Sequence, residues 1–326
     1  MLMQAVQLTG TLGFKSLQLA DVPKPSPGPA QVLIEVKAAG VNYAEIEQTR
    51  GKYPVFKPFP FVMGFEAAGI VAEVGSAVKN LKIGDRVAAI VSSGGYAEYA
   101  VADASTAILI QNELSFAQAT SITIQGLSAY ALLKLAAKPL PTDTVLIQAA
   151  AGGVGLFLVQ LSKILGVKRV IALASTEAKL ALAKNLGADV AINYSRSDWG
   201  DQVMQATGGL GADLVLECVS GALGEQSFKL LAPFGRVVVF GAKNMYDTIT
   251  PEKLQQLIHK NQSLIGFNFP SLRPEQVAPC ISDLLGLISR GQVKLFAENA
   301  FPLAHFERAF EALAGRGTIG KVVLIP

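Results

Sequence analysis

The chain has 326 residues, 51% of them hydrophobic and 16% charged. That length and apolar share suit two domains with sizeable cores and exclude a disordered chain. The formal net charge is +3, with 28 basic residues scattered among 25 acidic ones, too weak a field for nucleic acid to be the expected partner.

At the N-terminus, MLMQAVQLTG shows no basic cluster followed by an apolar block. No uninterrupted apolar run approaches the ~18–20 residues of a spanning helix. Neither a leader nor a membrane span is expected, and the expected compartment is the cytoplasm. Residues 1–110 read as short strands broken by turns. QVLIEVKAAGV (31–41) follows the turn signal PGPA, in which proline and glycine supply the special dihedrals. AAGIVAEVG (67–75), GDRVAAIV (84–91) and GGYAEYAVADAS (94–105) repeat the pattern, with Gly75 and Gly84 as breaks. Such a series predicts a small, partly closed β-barrel-like domain.

Near residue 115 the pattern changes. SFAQATSITIQGLSAYALLKLA reads as helical, with Ser115 as N-cap. Strands and helices then alternate: TVLIQAA (144–150), a helix over 154–166, RVIALAS (169–175), a helix over 176–187, ADLVLECVS (212–220) and GRVVVFGA (235–242). Fully apolar strands with helices between them predict a doubly wound parallel sheet covered on both faces, an α/β architecture. SLIGFNF (263–269) is the expected last strand, at the sheet edge. An apolar edge needs cover, and pairing with its symmetry mate predicts a homodimer. The C-terminal FPLAHFERAFEALAGRGTIGKVVLIP predicts a helix and then a strand that returns to the first domain. Cys218 and Cys280 are too few for a cysteine-rich zinc lobe and are expected reduced and buried. His259 and His305 lie on a helix and at a helix start, and no Ser-His-Asp or Cys-His constellation is evident.

The most informative stretch is QAAAGGVGLFLVQ (148–160), where a predicted strand gives way to a predicted helix. AAGGVG (150–155) reads as G-x-G-x-x-G with Ala150 in the first glycine place. Gly152 would let the backbone approach a pyrophosphate, and Gly155 would let helix and strand pack closely. Free amides and the helix dipole would hold the negative charge; the alternative is a packing turn without ligand. At the end of the next strand an NAD site usually places Asp or Glu on the ribose 2′-hydroxyl. Ala174 stands there, with Ser175 and Thr176 as small donors and Lys179 as a cation one turn into the next helix. A lysine attracts the 2′-phosphate that a carboxylate would repel, so the expected cofactor is NADPH.

AAAGGVG, GVNYAE (40–45), GFEAAG (64–69), GDRV (84–87), GGYAEY (94–99) and GKVVL (320–324) resemble the medium-chain dehydrogenase/reductase superfamily, and more narrowly its zinc-free quinone oxidoreductase branch. The resemblance covers nearly the whole chain. It implies a GroES-like, β-rich catalytic domain in two pieces, 1–120 and 270–326, around a Rossmann NADP-binding domain, 121–269, with the active site in the cleft between them. Zinc-using relatives carry a His where Phe65 stands and a Cys where Asn42 stands, so no metal is implied. Glu66 reads as a structural acid. By the same resemblance Asn42 lies near the nicotinamide ribose and Tyr53 near the substrate. Tyr194 flanks the 2′-phosphate beside Ser175 and Lys179, and Arg316 reaches the phosphate region. Ser128, Ala151, Gly152, Gly153, Val154, Val219, Gly241, Ala242, Phe267 and Asn268 complete the implied cofactor contacts.

Without zinc there is no Lewis acid to polarise a ketone. NADPH hydride in a shaped cleft suits acceptors that are already electron-poor, quinones or alkenes conjugated to a carbonyl. The implied activity is that of an NADPH:quinone oxidoreductase. Two other readings remain open: an enoyl-thioester reductase, and a non-catalytic NADPH-binding protein of crystallin-like or RNA-binding type.

Overall fold

The computed structural model describes residues 1–54, 57–241 and 250–326. The chain divides into two units, one of Met1–Ile124 with Leu295–Pro326 and one of Gln125–Lys294.

In the first unit, the strands among the described residues are β1 (Leu2–Leu8), β2 (Leu17–Pro23), β3 (Gln31–Val41), β4 (Phe61–Val62), β5 (Glu66–Val74), β6 (Arg86–Ile90), β7 (Tyr99–Asp103) and β8 (Ala107–Leu109), joined late in the chain by β15 (Asn299–Pro302) and β16 (Val322–Ile325). β2-β1-β4 form one sheet, and β15-β16-β3-β5-β6-β8 a second, with β7 also on β3. β3 is the hub. Its residues are buried almost continuously because it pairs with β5, β7 and β16. Register shifts within β3–β5 bend the sheet, as bulges do. At Gly69 an added Cβ would overlap the Glu35 carbonyl, so only glycine permits that close crossing. Val6, Leu8, Ile34, Val71, Val87, Tyr96, Phe310 and Leu324 belong to one buried cluster. The pairing that matters most for the site is β16 on β3, antiparallel, with Val322 opposite Val41 and Val323 opposite Gly40. It returns the C-terminal strand to the first domain and delivers Lys321 to the end of β3.

The second unit carries β9 (Thr144–Ile147), β10 (Arg169–Ala174), β11 (Val190–Asn193), β12 (Ala212–Glu217), β13 (Leu231–Phe240) and β14 (Ser263–Phe267). They lie in the order β11-β10-β9-β12-β13-β14, and every pair is parallel. This is the 3-2-1-4-5-6 order of the nucleotide-binding sheet, whose reversal point between β9 and β12 is where ligands gather. β9, all four residues buried, ends at Ile147, three residues before the apolar run does. β14 is the sheet edge and is half-exposed.

Two boundaries differ from the sequence reading. The second unit starts at Gln125 rather than 121 and runs to Lys294 rather than 269. Residues 270–294 stay with the Rossmann sheet because the helix Pro274–Ser289 buries Cys280, Leu284 and Ile288. Gly126 has no side chain where Leu284 and Phe157 approach. The Gln160 side chain then pins Lys294, accepting from its N–H at 2.8 Å and donating to its C=O at 3.1 Å. The helical run opening at Ser115 has the expected cap, a box with Gln118. It changes to a π-helical turn at Ile122–Gly126, where the two units meet in the chain. Cys280 is buried as expected, but Cys218 is only half-buried. Among the described residues no helix is long and apolar enough to cross a membrane.

Candidate active site

The glycine loop occupies the turn from β9 into the helix Gly153–Ile164, with Gly152 at the N-cap. The tight turn falls at Ala149, with φ of +46°, one residue before the position the pattern marks. Ala150 cannot supply it, because its N–H donates to Leu173 C=O of β10 at 3.0 Å. A non-glycine residue in the left-handed region is strained, and the glycines around it provide its space. A Cβ on Gly155 would overlap the Ala149 carbonyl and stand 2.8 Å from Ala150 Cα; one on Gly152 would stand 3.1 Å from the same carbonyl. Gly155 therefore serves close helix–strand packing as expected. Gly152 also makes room for the chain's own backbone. Gly153 lies against Gln125, whose amide a Cβ would overlap.

Does the loop fit a dinucleotide? No side chain caps the helix, and no acidic residue sits in its first turn, the arrangement that suits an anion. The buried Gln125 Oε1 beside Gly153 finds no partner among the described residues, an orphan of the kind a bound polar group satisfies. Ala151 is buried, while Gly152, Gly153 and Val154 are half-buried. The residues present fit the pyrophosphate.

The C-terminal ends of β10 and β11 lie side by side, with Ala174 opposite Asn193 and the Tyr194 N–H donating to Ala174 C=O at 3.1 Å. Ser175 and Tyr194 are half-exposed beyond the strand ends. Thr176 caps the next helix by accepting from the Lys179 N–H. The Lys179 ammonium is half-exposed, its pKa lowered by burial. No carboxylate stands at the end of β10.

Across the reversal point, Gln148, fully buried just past β9, accepts from the N–H groups of Cys218 (3.2 Å) and Val219 (3.1 Å). Its Nε2 donates to Ser227 Oγ at 2.9 Å. The amide thus clamps the turn after β12 to the strand that carries the glycine loop. Gly241, with φ of +86°, ends β13, and a Cβ there would stand 3.6 Å from Cys218 Cβ. Ala242 lies outside the described residues. Phe267 ends β14, paired with Phe240. Asn268 is exposed, its C=O accepting from Ser271 Oγ at 2.7 Å. Ser128 is half-buried on the helix Leu127–Ala131.

Asn42, Tyr53 and Arg316 belong to the first unit. Arg316 is exposed past the helix Phe306–Ala314, with φ of +57°. Asn42 is the N-cap of the helix Tyr43–Thr49 in a capping box with Glu45. Its N–H donates to Glu45 Oε2 at 2.6 Å, its Nδ2 to Glu66 Oε1 at 2.8 Å, and its Oδ1 accepts from Lys321 Nζ at 2.7 Å. Lys321 also pairs with Glu66; both are fully buried. The second Glu66 oxygen accepts from Thr123 Oγ1 and from the Ile124 N–H, the latter at 3.0 Å.

Glu45 is fully buried as well and accepts from the Phe65 N–H at 2.9 Å. Burial pushes its carboxyl pKa up to about 7, against hydrogen bonds from Tyr96 and Asn42 and the charge of Lys321. Burial, helped by Glu45, raises the Tyr53 phenol. The Tyr53 ring lies 6.2 Å from that of Phe65. Tyr53, Phe65, Glu45 and Asn42 are therefore neighbours. Among the described residues no group of three or more His, Cys, Asp or Glu could hold a metal; His259 and His305 are exposed. The sequence reading passed over Glu45, Gln125, Gln148 and Lys321. Only Glu45 left a local signal, the N-x-x-E box that opens its helix.

Comparison with known proteins agrees with both units. The alcohol dehydrogenase GroES-like domain family matches residues 28–112, and the zinc-binding dehydrogenase family matches residues 153–285. The chain is 33% identical to a quinone oxidoreductase of Pseudomonas aeruginosa, over 98% of this chain and 99% of that one. It is 29% identical to the human synaptic vesicle membrane protein VAT-1 homolog, over 100% of this chain and 87% of that one. The crystal structure of Escherichia coli quinone oxidoreductase complexed with NADPH superposes with a TM-score of 0.90 at 31% identity, covering 99% of this chain and 100% of that one. A GroES-like unit and a Rossmann unit of this kind define an oxidoreductase of the medium-chain dehydrogenase/reductase superfamily, and the chain belongs to its quinone oxidoreductase branch.

Proposed function

We propose that the protein is a zinc-independent reductase that delivers the hydride of NADPH to quinones or to alkenes conjugated to a carbonyl. The observation that carries the reading is Phe65. Where zinc-using relatives place a ligand, this chain has a ring packed toward Tyr53, and open zinc sites need three protein ligands. NADPH, when bound, supplies the hydride. The loop amides at Gly152, Gly153 and Val154 hold the pyrophosphate, and Ser175, Lys179 and Tyr194 the 2′-phosphate. Ser128, Ala151, Val219, Gly241, Ala242, Phe267, Asn268 and Arg316 are proposed as further cofactor contacts. Asn42 presents its amide to the nicotinamide ribose. Tyr53, its phenol pKa raised, keeps its proton and donates it to the carbonyl oxygen that gains negative charge as hydride adds. The half-exposed edge strand β14 is proposed to pair with its mate across a two-fold axis as a homodimer, which sedimentation at micromolar concentration checks.

The test is NADPH oxidation followed by absorbance with quinones, enones and enoyl thioesters, with and without a chelator. Quinones or enones should oxidise NADPH at a rate the chelator leaves unchanged. NADPH binding without oxidation by any acceptor would sink the catalytic reading, and turnover confined to enoyl thioesters would replace the substrate class.

A further inference from the structure

We infer that Lys321 and Glu66 are positioning residues for Asn42, fixing which way its amide faces. The inference rests on the proposed function for what that amide serves. An Asn side chain offers two donors and one acceptor oxygen on nearly the same shape, so its surroundings decide its orientation. Here two opposite charges decide it. The Oδ1 takes a bond from the Lys321 ammonium at 2.7 Å and the Nδ2 gives one to the Glu66 carboxylate at 2.8 Å. A flipped amide would set oxygen against carboxylate and NH2 against ammonium. The Glu45 N–H of the capping box takes the other Oδ1 lone pair, so one N–H of Asn42 remains for a ligand, at a place the pair determines.

Three further observations show that the pair is held for this. Thr123 and the Ile124 N–H occupy the other Glu66 oxygen, so the carboxylate cannot turn away. A Cβ at Gly40 would collide with the Glu66 carboxyl and Lys321 Cε, so the chain keeps a glycine where the pair needs space. The register of β16 on β3 sets Val322 opposite Val41, which places Lys321 beside Asn42. Stability alone does not account for the arrangement, because a buried ion pair is often matched or bettered by apolar residues of similar volume.

Removing Lys321 alone would leave a buried carboxylate unpaired, so the test uses the neutral pair Lys321→Met with Glu66→Gln. NADPH affinity is measured by cofactor fluorescence in wild type, neutral pair, Asn42→Ala and the triple variant. The neutral pair and Asn42→Ala should each weaken NADPH about tenfold, and the triple variant should be no weaker than Asn42→Ala. Wild-type affinity in the neutral pair, or about a hundredfold loss in the triple variant, would overturn the inference. A readout without cofactor keeps it testable if the neutral pair does not fold. In the wild type with 15N-labelled asparagine, the Asn42 side-chain amide, assigned through Asn42→Ala, should exchange slowly with water. Exchange at the free-amide rate would also overturn it. Wild type that fails to bind NADPH would refute the cofactor reading and leave the exchange result to decide the positioning.

Discussion

In the Rossmann unit the turn after β9 is shaped by missing side chains, whereas in the GroES-like unit the ground around Asn42 is shaped by buried charged ones. Gly152 and Gly155 leave space that the Ala149 carbonyl fills, and Gly153 leaves space for Gln125; no titratable group takes part. Around Asn42, Glu45, Glu66 and Lys321 are all inaccessible to solvent, and each is held by hydrogen bonds. The first arrangement depends on volume and should ignore pH. The second depends on charge and should respond to both pH and the loss of a partner. What differs is the source of rigidity: backbone packed on backbone in one case, opposed charges at low dielectric in the other.

The largest effect should come from breaking the charge cluster on one side. Lys321→Met strands the Glu66 carboxylate in the core, a loss of about 3–5 kcal/mol. Adding Glu66→Gln should recover most of that stability. Denaturant titrations of the two variants measure it, and equal stability for both would mean that Glu66 does not need its partner.

Glu45 sharpens the comparison through pH. Its carboxyl titrates near 4.5 when unfolded and is raised to about 7 by burial in the fold. Between those values the folded protein holds a proton that the unfolded chain has released. The contribution of Glu45 to stability therefore falls as pH rises from about 4.5 through about 7 and is level on either side. At 1.36 kcal/mol per pKa unit the loss is about 3 kcal/mol. Protonated Glu45 can donate to Tyr96, whose own phenol is pushed up by burial and by Glu45. Unfolding free energies across this range, compared with those of Glu45→Gln, should show the drop in the wild type alone. A wild type that gains stability over Glu45→Gln with rising pH would reverse the assignment.

The glycine turn should fail by volume instead. Gly155→Ala drives a Cβ into the Ala149 carbonyl, backbone that the Ala150 bond to β10 prevents from moving. Overpacking of this kind costs about 1–3 kcal/mol, and NADPH affinity should fall with it. Gly317, where a Cβ meets open space, is the control, and Gly317→Ala should leave stability unchanged. The Gly155→Ala deficit should be the same at pH 5 and pH 8. A strong pH dependence would erase the contrast between the two regions.

How much of this could be read from the sequence follows the same division. The glycine pattern, its place after an apolar strand and the alternation around it are local, so the parallel sheet and the loop were legible. Which residue turns was not, because a carbonyl on β10 holds Ala150 and shifts the left-handed conformation to Ala149. The β3 run was legible in full, Gln31 to Val41, since turn signals bracket its apolar pattern. The Lys321–Glu66 pair joins residues 255 positions apart. It depends on the register of one strand pair, which no local pattern carries. The boundary at 294 instead of 269 was hidden for a similar reason. The apolar residues of the helix Pro274–Ser289 do not name the unit they pack on, and what fixes the helix is packing against Gly126 and the reach of Gln160 to Lys294.

The last effect, confined to cofactor choice, belongs to a residue that depends on neither device. Lys179 stands one turn into the helix after β10, half-exposed, with Ala174 in place of a carboxylate. The proposed charge-assisted hydrogen bond from its ammonium to the 2′-phosphate would contribute about 1.5–3 kcal/mol, and about 1.4 kcal/mol is tenfold in affinity. NADPH should therefore bind at least ten times more tightly than NADH. Lys179→Ala should remove most of that preference by weakening NADPH alone. Ala174→Asp should act on the same preference by repulsion, setting a carboxylate against the 2′-phosphate while leaving the NADH ribose a new acceptor. Fluorescence titration of both cofactors against the wild type and the two variants decides it. If the wild type binds both equally, Lys179 is a solvated helix residue, and the preference for NADPH has no source at the end of β10.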